Sequence, residues 1–323
     1  MKDLHIDLER FHEEGYLVVQ GLLDPEEDLR PVRDEYAALL DRLARRWYEE
    51  GRLSSAYEDL PFEPRLIKVS AETRGEFYPY IDISFTQTDV SDQMPMHHGP
   101  AVFHLLRNGR LLDAVEQFIG PEIYSNPVQH VRIKPPEASL PEEMHGDSHV
   151  GHTAWHQDQG VVTEEADQSD ILTVWLPVLE APEEKGCLVV VPGSHKRGLV
   201  SHCPPTAQLK HVYLRDDLLG PNRVPVPMKA GDALFMDKLT MHGSLPNISD
   251  GIRWSLDLRY NPIGQATGRP WFPGFVARSR AHLEQALDDP EEWGRLWDEA
   301  GAELAKGPTP AYNRWKAGDP LCA

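Results

Sequence analysis

Two periods divide the chain. Over the first 120 or so residues apolar positions recur every three to four residues; from about residue 122 they alternate with polar ones. In the first part "YLVVQGLL" reads as a short β run ending at Asp24. The following "DPEE" supplies an N-cap aspartate, Pro25 at the first helical position and Glu27 at the capping-box position. A helix is then predicted through "LRPVRDEYAALLDRLARRWYEE", and a second over "AVFHLLRNGRLLDAVEQFIG", closed by Gly120 and Pro121.

The second part breaks into strand-length runs punctuated by Gly and Pro: "IYSNPVQHVRIK", "TAWHQD", "DILTVWLPVLE", "GCLVVVPGS", "DALFMDKLTMHG" and "GIRWSLDLRYNP". Evenly spaced short strands predict a β-sandwich or barrel of the jelly-roll kind. The tail "SRAHLEQALDDPEEWGRLWDEAGAELAKG" returns to a helical period. No repeat or low-complexity linker intervenes, so we expect one domain over 1–323: a helix-rich support (1–120), a β core (121–265) and a helical extension (266–323). The fold class is mainly β with flanking helices.

Composition narrows the function. The formal net charge of −20, with no basic run to offset it, disfavours nucleic acid and anionic membrane surfaces and favours a small-molecule substrate. Any anionic ligand then needs locally placed cations. The start lacks the apolar stretch of a secretory signal, and no run approaches bilayer length. Cys187, Cys203 and Cys322 are odd in number and widely spaced, which suits a reducing compartment better than a disulfide framework. The expectation is a soluble cytoplasmic protein of undetermined oligomeric state.

Within "TAWHQDQG", His156 and Asp158 stand two apart and share a face if the backbone is extended. A third ligand is available in "TMHGSLPN", where His242 ends a strand run and Gly243 and Pro246 mark a turn after it. Two histidines and one carboxylate, the last histidine far along the chain, match the facial triad that holds non-haem Fe(II) and leaves positions open. Eleven positions on comes Arg253 in "RWSLDLRY", where alternation puts Arg253, Ser255, Asp257 and Arg259 on one face. Arg253 and Ser255 form a grip suited to a carboxylate.

"WHQD", "ILTVWLPVLEA", "GCLVVVPGSH" and "MHGS" with Arg253 beyond it resemble, in that order, the phytanoyl-CoA dioxygenase family. These are Fe(II)- and 2-oxoglutarate-dependent oxygenases on a double-stranded β-helix, a cupin-like jelly roll. The resemblance covers residues 120–262 closely and the N-terminal region more loosely. It implies His156, Asp158 and His242 as iron ligands and Arg253 and Ser255 as the grip on the far carboxylate of 2-oxoglutarate. It also implies Thr173 and Trp175 as pocket residues, Thr173 near the co-substrate, and Lys134 in "RIKPP" as a further co-substrate contact. One stretch, "EASLPEEMHGDSHVGH", lengthens the loop before the metal strand and bears on the substrate pocket.

The implied reaction is hydroxylation of an unactivated C–H bond using Fe(II), 2-oxoglutarate and O2, with succinate and CO2 released. No side chain is needed as a general base. Halogenation is disfavoured because Asp158 fills the position a halide would take. No cluster of Lys and Arg suits the phosphates of coenzyme A, which favours a small metabolite over an acyl-CoA and leaves substrate and oxidised position open. The alternatives are a zinc-type hydrolase or isomerase, which has no use for a dicarboxylate anchor at Arg253, and a non-catalytic binding module, which would form no succinate. His145, His149, His152 and His156 stand at helix-like spacing, but Gly146, Gly151, Asp147 and Ser148 argue against a metal-bearing helix. His152 is a candidate for the pocket wall, and Arg259 reads as one partner of a buried ion pair.

Overall fold

The alternating runs build two antiparallel sheets in the computed structural model, which describes the chain except residues 1–3, 5, 86–89, 92, 146, 148, 207–210, 311–313, 316–321 and 323. The strands are β1 (Tyr16–Val19), β2 (Ile123–Ser125), β3 (His130–Lys134), β4 (Leu172–Pro177), β5 (Leu188–Val190), β6 (Val224–Val226), β7 (Ala233–Asp237), β8 (His242–Ser244), β9 (Arg253–Pro262) and β10 (Phe275–Arg278). The larger sheet runs β1-β7-β4-β9-β2-β10, with β3 also paired to β9; the smaller runs β6-β5-β8. Trp175, Leu234 and Met236 of the larger sheet pack against Leu188, Val190 and Val226 of the smaller, so the inner faces meet in an apolar seam. This is the jelly roll expected of the alternating pattern.

The outer face of the larger sheet is equally apolar. Val131, Ile133, Val174, Trp254, Leu256, Leu258 and Tyr260 join the main core with the helices laid over them. Helix Arg30–Glu49 contributes Val32, Tyr36, Leu40, Leu43 and Trp47, buried at helical spacing. Tyr36 and Phe62 pack on Trp254 with ring centroids 5.2 and 5.0 Å away. With that face sealed, alternation sends the polar positions of β3, β4 and β9 inward. Register then sets Lys134 opposite Arg253, Arg132 opposite Ser255, Thr173 opposite Arg259 and Trp175 opposite Asp257.

Several local expectations need correction. The run 101–120 forms two helices, Pro100–Leu106 and Gly109–Ile119, because the Asn108 side chain accepts from Arg110 N and Leu111 N and starts a second one. Asp24 does cap, accepting from Glu26 N and Glu27 N, but the first turn (Pro25–Leu29) is π-helical. Its wider turn brings back Asp28 rather than Glu27, and Asp28 Oδ2 accepts from Asp24 N at 2.7 Å. Among the described residues the tail is α-helical over Pro290–Leu304, with a 3-10 turn at Leu283–Gln285, and Phe275–Arg278 pairs with β2 instead. Cys203 and Cys322 form a disulfide, overturning the reading of all three cysteines as reduced; Cys187 is free and buried. Among the described residues no helix is long and apolar enough to cross a membrane.

Candidate metal and co-substrate site

His156 and Asp158 do not share a regular strand. His156 pairs only with His242, each backbone N–H donating to the other's carbonyl at 2.9 Å, and at Asp158 the chain turns into a 3-10 helix (Asp158–Val161). His242 opens β8 rather than ending a strand. This single bridge sets the two imidazoles side by side, ring centroids 4.3 Å apart. Gln157 anchors the turn: its Nε2 donates to the Gly198 and Leu239 carbonyls at 2.9 and 2.7 Å, and its backbone N–H donates to His202 Nε2 at 2.9 Å.

Tautomers follow from the partners. His156 Nδ1 lies 2.9 Å from the Ala154 carbonyl and His242 Nδ1 3.0 Å from that of Thr240; a carbonyl only accepts, so both Nδ1 atoms carry the proton. Both Nε2 atoms are left bare. One ligand atom from each of His156, Asp158 and His242 lies within 4.8 Å of the others, and His156 Nε2 is 3.6 Å from Asp158 Oδ1. A cation with bonds of about 2.1 Å draws its ligand atoms to about 3.0–3.4 Å apart, so the donor set fits a divalent metal after a slight inward move. Burial, then neighbouring His156, pushes His242 down to about 4, which keeps it neutral and able to ligate near neutral pH.

Asp158 is held from both oxygens. Thr173 donates to Oδ2 and Arg259 Nη2 to Oδ1, while Arg259 Nη1 reaches the Val128 carbonyl at 2.7 Å. Burial works against the charge of Asp158, but the Arg259 guanidinium leads the causes that outweigh it and keep the carboxyl well below its usual range. The acid paired with Arg259 is thus a member of the triad itself, which chain order did not disclose.

Deeper between the sheets, Arg253 is 1 % exposed, and its Nε and Nη2 are buried without a hydrogen-bond partner among the described residues. Nη1 donates to Ser255 Oγ at 3.3 Å, and the guanidinium lies 5.6 Å from the Trp175 ring centroid. Across the register Lys134 donates to Thr153 Oγ1 at 2.6 Å; burial, then Arg253 and Arg132, lowers its proton affinity well below the ordinary lysine range. Asp257 is the nearby acid, and its Oδ2 is taken by Arg132 Nε at 2.6 Å. A buried guanidinium with two N–H groups unsatisfied, beside the Lys134 amine, fits a bound carboxylate: an unmade hydrogen bond on a buried charge is costly.

A cavity opens beside the triad, walled by His130, Arg132, His149, His156, His211, Arg259 and Arg269. His130 is held by Asp82, its Nδ1 2.8 Å from Oδ2, and Tyr78 donates to the same carboxylate. Strand alternation through His130, Arg132 and Lys134 could have found two of these residues; His211 had no such signal. His145, His149 and His152 form no helix. His145 Nε2 donates to the Leu140 carbonyl at 3.3 Å, and His152 turns to Glu137, 3.0 Å away. Gly146 and Ser148, which argued against a helix there, lie outside the described residues.

The family model for phytanoyl-CoA dioxygenase matches residues 11–255. The peroxisomal phytanoyl-CoA dioxygenase of Bos taurus is 25% identical over 262 residues, covering 80% of this chain and 68% of its own length. The 1-deoxypentalenic acid 11-beta-hydroxylase of Streptomyces exfoliatus is 25% identical over 298 residues, covering 88% and 92%. Among solved structures, the apo form of the non-heme monooxygenase ThoJ superposes with a TM-score of 0.57 at 17% identity, covering 92% and 95%, a likeness of fold. The match spanning most of the chain, on a jelly roll carrying this triad, places the protein in the phytanoyl-CoA dioxygenase family of Fe(II)- and 2-oxoglutarate-dependent oxygenases.

Proposed function

We propose that the enzyme hydroxylates an unactivated C–H bond of a small-molecule substrate, with His156, Asp158 and His242 as the iron ligands and Arg253 as the anchor of 2-oxoglutarate. The observation that carries this reading is the pairing of a converged two-histidine, one-carboxylate set with a buried arginine whose Nε and Nη2 have no partner. Bound iron, with 2-oxoglutarate and O2, supplies the oxidising power, and the co-substrate leaves as succinate and CO2. The chain's own residues orient and shield. Ala154 and Thr240 fix the imidazole tautomers, Arg259 and Thr173 keep Asp158 ionised and aimed, and Arg253 with Ser255 takes the far carboxylate of the co-substrate. Lys134 adds a second positive group beside it, and Trp175 covers the guanidinium. The cavity lined by His130, Arg132 and Arg269 receives the substrate, and its polar wall suits a small polar metabolite.

A hydrolase would leave the buried, unpartnered N–H groups of Arg253 without a purpose. Asp158→Ala should abolish succinate release from 2-oxoglutarate in the uncoupled reaction; turnover equal to the parent enzyme removes Asp158 from the ligand set.

A further inference from the structure

The inserted loop ahead of His156 sends its side chains to different partners, and two of them meet a residue from a distant segment. Asp147 Oδ1 stands 3.0 Å from His149 Nδ1 and 3.5 Å from His211 Nε2. One ligand atom from each of the three lies within 4.8 Å of the others, and the two imidazoles meet edge to face with centroids 4.5 Å apart. We propose that Asp147, His149 and His211 form a second divalent-metal site on the wall of the substrate cavity, separate from the iron triad. The existence of this site does not depend on the iron assignment, whereas its reading as a substrate contact rests on the proposed function.

The spacing suits a cation. Ligands of a tetrahedral ion with bonds of about 2.1 Å stand about 3.4 Å apart, and the two measured separations bracket that value. As a hydrogen bond, 3.5 Å is too long to add much. Asp147 Oδ1 already accepts from the backbone N–H of His149 at 3.0 Å, which fixes the carboxylate before any ion arrives. Tyr78 packs against the His149 ring at 4.2 Å and limits its rotation.

The donor set names the class of ion. Two imidazoles and a carboxylate without thiolate suit Zn(II), Ni(II) or Co(II), whereas Ca(II) and Mg(II) prefer oxygen. Three protein ligands leave a fourth position for water or for an oxygen donor. His149 and His211 both line the cavity that His156 enters, so that position opens towards the bound substrate. A substrate bearing a carboxylate or a similar oxygen donor would be held there by the metal, with its other end towards the iron. The site also ties the inserted loop to the segment carrying His211.

Co(II) serves as the probe because its visible absorption reports coordination. In metal-free protein carrying His156→Ala and His242→Ala, one equivalent of Co(II) should still bind and give a visible d–d band. Adding His211→Ala or Asp147→Asn to that protein should weaken Co(II) by about a hundredfold or more, the upper end of what loss of even a supporting contact costs. Circular dichroism of each variant checks that the fold is kept. As the converse, His211→Ala alone should reduce the stoichiometry from two equivalents to one. The proposal is overturned if the double variant binds no Co(II), or if His211→Ala and Asp147→Asn leave its binding unchanged.

Discussion

Asp158 shares both its oxygens, Oδ2 with Thr173 and Oδ1 with Arg259, so its charge is balanced by protein as well as by any ligated cation. Removing one partner of a buried ion pair leaves an uncompensated charge and costs about 3–5 kcal/mol. Arg259→Leu should therefore destabilise the metal-free protein by about that amount in urea denaturation. A cation held by the triad replaces the missing positive charge, so the loss should shrink when Fe(II) is added under anaerobic conditions. Equal losses with and without Fe(II) would mean that Arg259 supports the fold and not the metal carboxylate. In the sequence Arg259 was legible as half of a buried pair, since it shares the inward face of β9 with Arg253. Its partner was not, because Asp158 lies 101 positions away and meets it only after the sheet closes.

Among the elements, β9 could be read directly: Arg253, Ser255, Asp257 and Arg259 alternate with Trp254, Leu256, Leu258 and Tyr260, and a strand between a polar interior and an apolar helix layer needs that pattern. "TAWHQD" could not, since its geometry depends on one bridge to β8 and a turn that begins at Asp158. The split of the 101–120 run shows the competing principle. Apolar spacing carries on through the break, but Asn108 caps a new helix and its Nδ2 donates to Asp28 at 2.7 Å. Asn108→Ala removes both, so it should cost about 1–2 kcal/mol, in the range for a lost N-cap. Chemical denaturation measures this; a change under about 0.5 kcal/mol, typical of ordinary surface sites, would show that the break is set by tertiary packing alone.

For the whole molecule, buried histidines couple stability to acid. Burial is the leading cause in each: His149 falls to about 4, His202 to about 3 and His242 to about 4. Each stays neutral in the fold while its unfolded counterpart takes a proton near the ordinary value of about 6.5. Their contribution is complete above that pH and is lost as the pH falls towards 4, so the metal-free protein should lose stability steadily over that window. A flat profile from pH 7 to 4 would contradict these environments. Two large-scale features lay beyond the sequence pattern. The Cys203–Cys322 disulfide spans 119 positions, which spacing alone does not pair. The convergence of His242 on His156 was expected from the ligand pattern, but the isolated backbone bridge that produces it had no sequence signal. The most direct test is an anaerobic titration of the metal-free enzyme with Fe(II) and then 2-oxoglutarate, followed in the visible range. A metal-to-ligand charge-transfer band should appear only when both are present, vanish in His242→Ala, and in Arg253→Lys need about tenfold more 2-oxoglutarate at little-changed Fe(II) affinity, as expected for loss of a charge-assisted contact. No band in the parent enzyme, or an undiminished one in His242→Ala, would contradict the account.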